Sequence, residues 1–208
     1  MNKKFLELAK KSKVIVIKVG SNILVNEKHV LRKKWLSSLI ADVKELQKRG
    51  SRIVIVSSGA IALGRNILSK KKLTNLHEKQ AAASIGQIQL SQQWQKAFAK
   101  LNIQSSQILI TAEDLNERRK YLNIRNTIYS LMDLNVVPII NENDTTSTEE
   151  IRFGDNDKLS AMIANALSAE LLILLSDVNG LYTANPKKSL QAKLITSVEE
   201  VDQQIEKY

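Results

Sequence analysis

The sequence predicts an α/β fold, a three-layer α/β/α sandwich with a mainly parallel central sheet. Short apolar runs alternate with longer segments of helical spacing, which is typical of strand–helix–strand units. The runs are continuously apolar instead of alternating apolar with polar residues, and this indicates strands that are buried on both faces. Strands of that kind belong to parallel sheets whose two faces are covered by helices.

The first half of the chain begins with an amphipathic lead-in over residues 1–13. The predicted elements that follow are a strand at 14–19, a helix at 31–49, a strand at 52–56 and a helix at 79–100. The helix at 31–49 ends in basic residues followed by Gly50, which is a good stop signal. The second helix contains a run of small residues at 81–86, which favours either the close approach of a ligand or tight packing against another helix.

The second half repeats the alternation with shorter connections. Its predicted elements are a strand within 103–111, a helix at 116–135, a strand at 136–140, a helix at 158–168, a strand at 171–175 and a last helix at 198–207. Because each strand is followed by a helix of sufficient length to cross back, the strands can all run parallel.

Composition excludes several classes of site and partner. The chain of 208 residues has no cysteine and only two histidines, so a disulfide framework, thiol catalysis and a zinc site are not expected. No apolar run approaches the ~20 residues of a membrane span, and there is no signal peptide, so we expect a cytoplasmic protein. The net charge of +10 could attract nucleic acid, but the lysines are dispersed and aromatic residues are few. A solvated lysine-rich surface that attracts anionic metabolites is therefore favoured over a nucleic-acid partner.

Polar residues cluster where the predicted strands end. Such positions matter because open parallel sheets bind ligands at the carboxyl ends of their strands. The groups concerned are Lys18 with Gly20 and Ser21, Ser57 to Gly59, Asn141 to Asp144, and Ser176 with Asp177. We expect these strand exits to converge on one crevice.

Two of these exits have the chemistry of an anion site. Lys18 lies inside an apolar run, so it is either on an edge strand with its ammonium in solvent or paired with an anion. The backbone N–H groups of Gly20 and Ser21 can cradle phosphate oxygens. Ser58 and Gly59 open a helix, and the N–H groups there suit a carboxylate or a phosphate. The equally favoured alternative is an ordinary turn with Ser58 as the helix cap.

Acids and amides are concentrated between residues 141 and 157. Asp144 follows one strand, and Asp155, Asn156 and Asp157 begin the next predicted helix. Aligned carboxylates repel one another unless a cation, a hydrogen-bond donor or a substrate is present. Such groups can orient cationic side chains, hold Mg²⁺ with its waters or fix the ammonium group of an amino acid.

Together these strings resemble the amino acid kinase family. The resemblance runs from about residue 14 to the end of the chain. It is carried by Val16-Ile17-Lys18-Val19-Gly20-Ser21, Ser58-Gly59-Ala60-Ile61-Ala62-Leu63-Gly64, Ile140-Asn141-Glu142-Asn143-Asp144, Gly154-Asp155-Asn156-Asp157 and Ser176-Asp177-Val178-Asn179-Gly180.

The resemblance implies ATP-dependent phosphorylation of the side-chain carboxylate of L-glutamate to L-glutamyl 5-phosphate, the first step of proline biosynthesis. Mg²⁺ would be carried by the nucleotide, without a protein metal site. By this resemblance and the turn chemistry above, Lys18 and Asp157 are the catalytic residues. The predicted glutamate-binding residues are Ser58, Gly59, Asp144 and Asn156, and the predicted ATP-binding residues are Lys18, Gly20, Ser21, Ser176 and Asp177.

The resemblance also carries expectations about the rest of the protein. Relatives continue with a Gly-Gly-Met loop and a second catalytic lysine, so residues 14–208 are expected to be a kinase domain that is incomplete at its C-terminus and has no RNA-modification-like (PUA) domain. The fold would then lack its last strands. The family further implies a homodimer or homotetramer and feedback inhibition by L-proline.

Two alternatives remain open at this stage. One is an amino acid kinase that acts on N-acetylglutamate or aspartate, against which the Asn-Glu-Asn-Asp and Gly-Asp-Asn-Asp strings argue. The other is a non-catalytic fragment that binds glutamate or mediates oligomerisation.

Overall fold

The computed structural model describes residues 3–69, 72–147, 155–203 and 205–207. The side chains of residues 3–6 and of Asp155 lie outside that description, as does Gly154 of the predicted Gly-Asp-Asn-Asp string. Residues 1–175 form one compact unit and residues 176–208 form another. All five strands of the described chain belong to the first unit.

The strands are β1 (Val14–Val19), β2 (Arg52–Ser57), β3 (Gln104–Ile110), β4 (Val136–Glu142) and β5 (Leu171–Leu175). The helices are α1 (Lys3–Lys11), α2 (Ser21–Leu24), α3 (Lys33–Lys48), α4 (Ala60–Ile67), α5 (Leu76–Ala99), α6 (Ala112–Asn116), α7 (Arg118–Asp133) and α8 (Asp155–Ala166). In the second unit the described residues form one short 3-10 helix, Ile205–Lys207.

The sheet has the order β3-β4-β2-β1-β5, and every neighbouring pair of strands is parallel. β1 therefore lies inside the sheet, with Lys18 opposite Val56 of β2 and Leu174 of β5. The α/β class and the parallel sheet are confirmed. The carboxyl ends of β1, β2 and β4 meet at one edge of this sheet, which is where the predicted site residues begin.

The continuous apolar strands bury both of their faces. On β1, Ile15 and Ile17 point into the cluster that contains Trp94 and Phe98 of α5. Val16, between them in sequence, points into a second cluster with residues of α7 and α8. Successive strand side chains face opposite sides of a sheet, so a strand covered on both sides needs no polar positions.

Helices α4 and α5 pack with their backbones in contact. A Cβ atom built on Gly86 would lie 1.8 Å from the carbonyl oxygen of Ala60, and one on Gly64 would lie 1.8 Å from that of Ala82. Of the two interpretations of the small residues at 81–86, tight helix packing is the one that the structure supports. This contact fixes the first turn of α4, which follows the strand exit at Ser58, relative to α5.

Three predicted helices differ from the structure. The predicted helix at 116–135 corresponds to α7, Arg118–Asp133, and the structure adds before it the short helix α6, Ala112–Asn116, which ends at the extended backbone of Glu117. α8 starts at Asp155 instead of residue 158. The predicted helix at 198–207 is wrong, since among its described residues only Ile205–Lys207 are helical, in a 3-10 helix. Val201 is 72% exposed, and a short helix without an apolar face to bury is marginal in water.

Candidate functional site

The candidate site lies where β1, β2 and β4 end, against the first turn of α8. β1 delivers Lys18, β2 delivers Ser57 and the following Ser58, and β4 delivers Asn141. In the parallel register Val19 lies opposite Ser57, so the first two of these exits are immediate neighbours. Two polar residues in the first turn of α8, Asn156 and Asp157, contact these strand ends.

Lys18 and Asp157 form an ion pair, with 2.6 Å between Lys18 Nζ and Asp157 Oδ1. The lysine side chain is 11% exposed and the aspartate 48%. Because β1 has neighbours on both sides, the alternative of an edge-strand lysine does not apply. A nearly buried ammonium needs an anionic partner, and the half-exposed carboxylate supplies one while holding the ammonium at the strand end.

Asn156 binds the end of β2. Its side-chain nitrogen Nδ2 donates to Ser58 Oγ at 2.7 Å, to the Ser57 carbonyl oxygen at 3.1 Å and to Asn141 Oδ1 at 3.2 Å. Among the described residues nothing donates to Asn156 Oδ1, although this atom is buried. A buried acceptor without a donor is costly, so this oxygen is suited to receive an N–H group from a ligand.

Two glycines of the predicted site have a structural reason to be glycine. Gly59 precedes α4 with φ of 107°, in the left-handed region that side chains disfavour. A Cβ on Gly20 would lie 3.2 Å from the carbonyl oxygen of Leu175 and 3.7 Å from Lys18 Nζ. Ser21 starts the four-residue helix α2 directly after this close approach.

Two further acids of the predicted cluster, Asp144 and Asp155, lie on the segments that follow β4 and begin α8. Asp144 lies in the turn at 144–146 that follows β4, and this turn is anchored by the hydrogen bond from Thr146 N to Asn143 O at 3.1 Å. Asp155 is the first residue of α8. The contacts described above join Lys18 to Asp157 and Ser58 to Asn156.

Ser176 and Asp177 belong to the second unit, residues 176–208. Within it Ser176 Oγ donates to Asp177 Oδ1 at 3.4 Å, and Lys187 Nζ lies 2.5 Å from Asp177 Oδ2. Their predicted role at the nucleotide stays a prediction.

Ser57 and Asn141 were named only among the polar residues at the strand exits, and both accept hydrogen bonds from the predicted residue Asn156. Gln87 and Trp94 were not predicted at all, and they contact Asn141 and Ser57. Asn141 Nδ2 donates to Gln87 Oε1 at 2.7 Å, and Trp94 Nε1 donates to Ser57 Oγ at 2.9 Å. Asn141 lies in the Asn-Glu-Asn-Asp string at 141–144, and this string was the indication in the sequence that Asn141 belongs to the site. Gln87 and Trp94 are on α5, far from the site in sequence, and only the fold brings them there.

Neither a metal cluster nor a membrane helix is found in the part of the chain that the structure describes. No group of three or more histidine, cysteine, aspartate or glutamate side chains is arranged to hold a metal ion there. No helix of that part is long and apolar enough to cross a membrane.

The sequence matches the amino acid kinase family over residues 13–206. The chain belongs to this family. This membership of the amino acid kinase family confirms the resemblance seen in the sequence.

Among the relatives of this amino acid kinase chain are two glutamate 5-kinases. The one from Pelagibacter ubique is 49% identical over 199 residues, which cover 95% of this chain and 54% of that protein. The one from Brucella abortus is 51% identical over 193 residues, covering 92% of this chain and 51% of that protein. The chain thus spans about half the length of these relatives.

Solved structures of isopentenyl phosphate kinases share the amino acid kinase fold of this chain. One, a substrate complex, has a TM-score of 0.62 at 13% identity and covers 88% of this chain and 77% of its own. Another has a TM-score of 0.64 at 18% identity, covering 93% and 84%. At these identities the likeness shows the fold alone.

Proposed function

We propose that this chain is the glutamate-binding and phosphoryl-positioning part of a kinase that converts L-glutamate to L-glutamyl 5-phosphate with ATP, the first step of proline biosynthesis. The observation that carries the proposal is the first turn of α8. One residue of that turn, Asn156, binds the end of β2, and the next, Asp157, holds the Lys18 ammonium at the end of β1. An amino-acid subsite and a phosphoryl subsite therefore adjoin each other.

The amino-acid subsite is built from Ser58, Gly59, Asn156 and Asp144. Asn156 Oδ1 is a buried acceptor that can accept a hydrogen bond from the α-ammonium of glutamate. Asp144 is the carboxylate that we assign to the same ammonium. The Ser58 hydroxyl, held by Asn156, and the N–H groups that begin α4 suit the α-carboxylate. N-acetylglutamate lacks the ammonium, so this donor and acceptor pattern favours glutamate.

The transfer itself needs no covalent nucleophile from the protein. A side-chain carboxylate oxygen of glutamate forms a bond to the γ-phosphorus of ATP while the bond from that phosphorus to the β–γ bridging oxygen breaks, and ADP leaves. Negative charge on the transferring group is spread over its equatorial oxygens. Lys18 neutralises part of this charge, and Asp157 keeps the lysine in place.

We assign the nucleotide to Gly20, Ser21, Ser176 and Asp177, with Lys18 at the transferring phosphoryl group. Gly20 approaches the Lys18 ammonium closely, and a Cβ there would narrow this space. Mg²⁺ would arrive bound to ATP and would neutralise further negative charge on the phosphates. Because Asp157 is paired with Lys18, we do not assign it as a metal ligand. The reaction is assigned to the cytoplasm.

The test of this proposal measures binding and turnover separately. Calorimetric titration of the chain with L-glutamate, L-aspartate and N-acetylglutamate should show binding of glutamate in preference to the other two. ADP release in the presence of Mg²⁺ and ATP should require glutamate. Glutamate binding without any glutamate-dependent ADP release would instead support the non-catalytic alternative, and preference for aspartate or N-acetylglutamate would contradict the substrate.

Feedback and assembly belong to the same proposal. L-proline carries an ammonium and a carboxylate on one carbon, as glutamate does, so the amino-acid subsite suits it as an inhibitor. Displacement of bound glutamate by proline in the calorimeter would support this, and additive binding would contradict it.

The proposed homodimer or homotetramer is tested by light scattering on a size-exclusion column.

A further inference from the structure

A chain of hydrogen-bonded amides leads from Asn156 into helix α5. Asn156 Nδ2 donates to Asn141 Oδ1 at 3.2 Å, and Asn141 Nδ2 donates to Gln87 Oε1 at 2.7 Å. Gln87 Nε2 then donates to Ser91 Oγ at 3.2 Å. We call this set, Asn156, Asn141, Gln87 and Ser91, the amide relay. Along the relay each amide donates to the next residue outward, so the relay has one direction.

Both ends of the amide relay are fixed by backbone carbonyls, which can only accept. At the outer end the Ser91 hydroxyl donates to the Gln87 carbonyl oxygen at 2.9 Å and also faces Gln107 Oε1. The single hydrogen of the Ser91 hydroxyl is therefore used in these contacts. Toward the Gln87 side chain, Ser91 Oγ can only accept a hydrogen bond, from Gln87 Nε2. At the inner end the Ser57 carbonyl oxygen accepts from Asn156 Nδ2 at 3.1 Å.

The orientation of each amide between these ends follows. Gln87 must turn its nitrogen to Ser91 and therefore its oxygen to Asn141. Asn141 must then turn its nitrogen to Gln87 and its oxygen to Asn156. Asn141 is 3% exposed, so it cannot exchange either partner for bulk water. If Asn141 turned over, two N–H donors would face each other beside the site.

We infer that Gln87 is a positioning residue for the amino-acid subsite. Through Asn141, and together with the Ser57 carbonyl oxygen, it holds the Asn156 amide with Oδ1 free to accept. This orientation favours a ligand that presents a donor, the α-ammonium, at that point. Gln87 does not touch the substrate. This inference rests on the proposed function for the identity of the ligand, whereas the orientation of the amides can be measured without one.

The decisive variants change the hydrogen-bonding capacity of residue 87 and little else. Gln87→Met keeps the length of the side chain but removes the acceptor for Asn141. Gln87→Glu keeps an acceptor for Asn141 and loses only the donor to Ser91. Gln92→Met is the matched control, since Gln92 is on the same helix and lines the same cavity but is outside the amide relay. This cavity of about 390 Å³, between α5 and strands β3 and β4, leaves room for these side chains.

Affinity is measured by calorimetry for L-glutamate and for glutarate, which has the same two carboxylates without the ammonium. Gln87→Met should weaken glutamate binding about tenfold, as expected for a lost hydrogen bond to a charged group, and should change glutarate binding by less than about twofold. Gln87→Glu should restore most of the glutamate affinity, and Gln92→Met should match the unmodified chain. Equal losses for both ligands, an equally weak Gln87→Glu or a normal Gln87→Met would overturn the inference.

The ligand-free chain supplies an independent readout. In Gln87→Met the side-chain amide protons of Asn141 should exchange with solvent about tenfold faster, measured by NMR, and they should not do so in Gln87→Glu or Gln92→Met. If the unmodified chain binds no glutamate, the proposed function fails, and this exchange measurement still decides the relay. Ser91→Ala, which frees the outer end without opening the core, should give a smaller change in the same direction. Unchanged exchange in both Gln87→Met and Ser91→Ala would overturn the relay.

Discussion

Trp94 donates its indole N–H to the hydroxyl of Ser57 at 2.9 Å, and both side chains are completely buried. Ser57 is the last residue of β2, and its carbonyl oxygen is one of the acceptors that hold Asn156. Trp94 also stacks on Phe98, with 6.0 Å between ring centroids. A buried aromatic residue is therefore in direct contact with the strand end that carries the amino-acid subsite.

Binding of glutamate should change the fluorescence of Trp94. Movement of the β2 end alters the hydrogen bond to the indole, and this changes the emission of the ring. The only other tryptophan is Trp35, so Trp35→Phe leaves a single reporter. Titration of that variant should give a saturable change with the same midpoint as calorimetry, and Ser57→Ala should reduce its amplitude. A signal that persists in Trp94→Phe but not in Trp35→Phe would contradict this assignment.

Lys18→Ala should lower the glutamate-dependent rate of ADP release by about 10²–10³-fold, which is typical for loss of one preorganised charge that stabilises a transition state. Glutamate binding should change much less, because Lys18 faces the phosphoryl group in the proposed arrangement. The control is Lys34→Ala, an exposed lysine at the start of α3. Steady-state rates and calorimetry on the same samples check the prediction, and a rate in Lys18→Ala equal to that of the control would refute it.

Gly86→Ala should destabilise the fold by about 3 kcal/mol or more, because the added methyl group overlaps the Ala60 carbonyl oxygen and the two helices must separate. Gly50→Ala is the comparison. Gly50 has φ of 89° and nothing within 4 Å of a built Cβ, so it isolates the backbone cost, about 1 kcal/mol. Urea unfolding of both variants measures the difference. Equal losses would mean that the α4–α5 contact adapts without cost.

The start of α6 gives a pH-dependent contribution to stability. Thr111 and Asp114 form a capping box, and the backbone N–H of Thr111, followed by the Lys120 ammonium and the Thr111 hydroxyl, lowers the pKa of Asp114. A carboxylate with a lowered folded pKa stabilises the fold above the pH at which the unfolded aspartate titrates, about pH 4. The stabilisation is lost as the pH falls through the folded pKa.

Asp114→Asn should therefore cost about 1 kcal/mol of unfolding free energy at pH 7, and the difference from the unmodified chain should disappear in acid. Thr111→Val removes a hydroxyl that does not titrate, so most of its cost should persist at low pH. Chemical unfolding at a series of pH values distinguishes the two. A constant penalty for Asp114→Asn at all pH values would show that its charge contributes nothing.

The sheet could be predicted because its strands are defined locally. Runs such as 14–19 and 171–175 are apolar enough to be buried on both faces, and no other element accommodates them. The short helix α6 was missed although Thr111-x-x-Asp114 is itself a helix-start signal. The predicted helix at 198–207 is wrong because its sequence has few apolar residues and no surface of the described structure buries them.

The site was predictable only as far as it lies on strand ends. Lys18 is the one charged residue of an apolar strand, while Ser58, Asn156 and Asp157 stand in short polar strings after β2 and at the start of α8. The resemblance to the family assigns their proposed roles. Gln87 gives no such signal. It is one of several glutamines on α5, and its contact with Asn141 depends on how the helix packs on the sheet, which local sequence does not encode.

The backbone contact at Gly86 ties α5 to the first turn of α4, so we expect the two helices to shift together. From Gly86 to the end of α5 at Ala99 there are 13 residues, which at ~1.5 Å per residue is about 20 Å. A tilt of a few degrees at the amino-acid subsite would displace the far end of the helix, at Ala99, by an ångström or more. A spin label or fluorophore attached near Ala99 would then report whether the amino-acid subsite is occupied, without contacting that subsite.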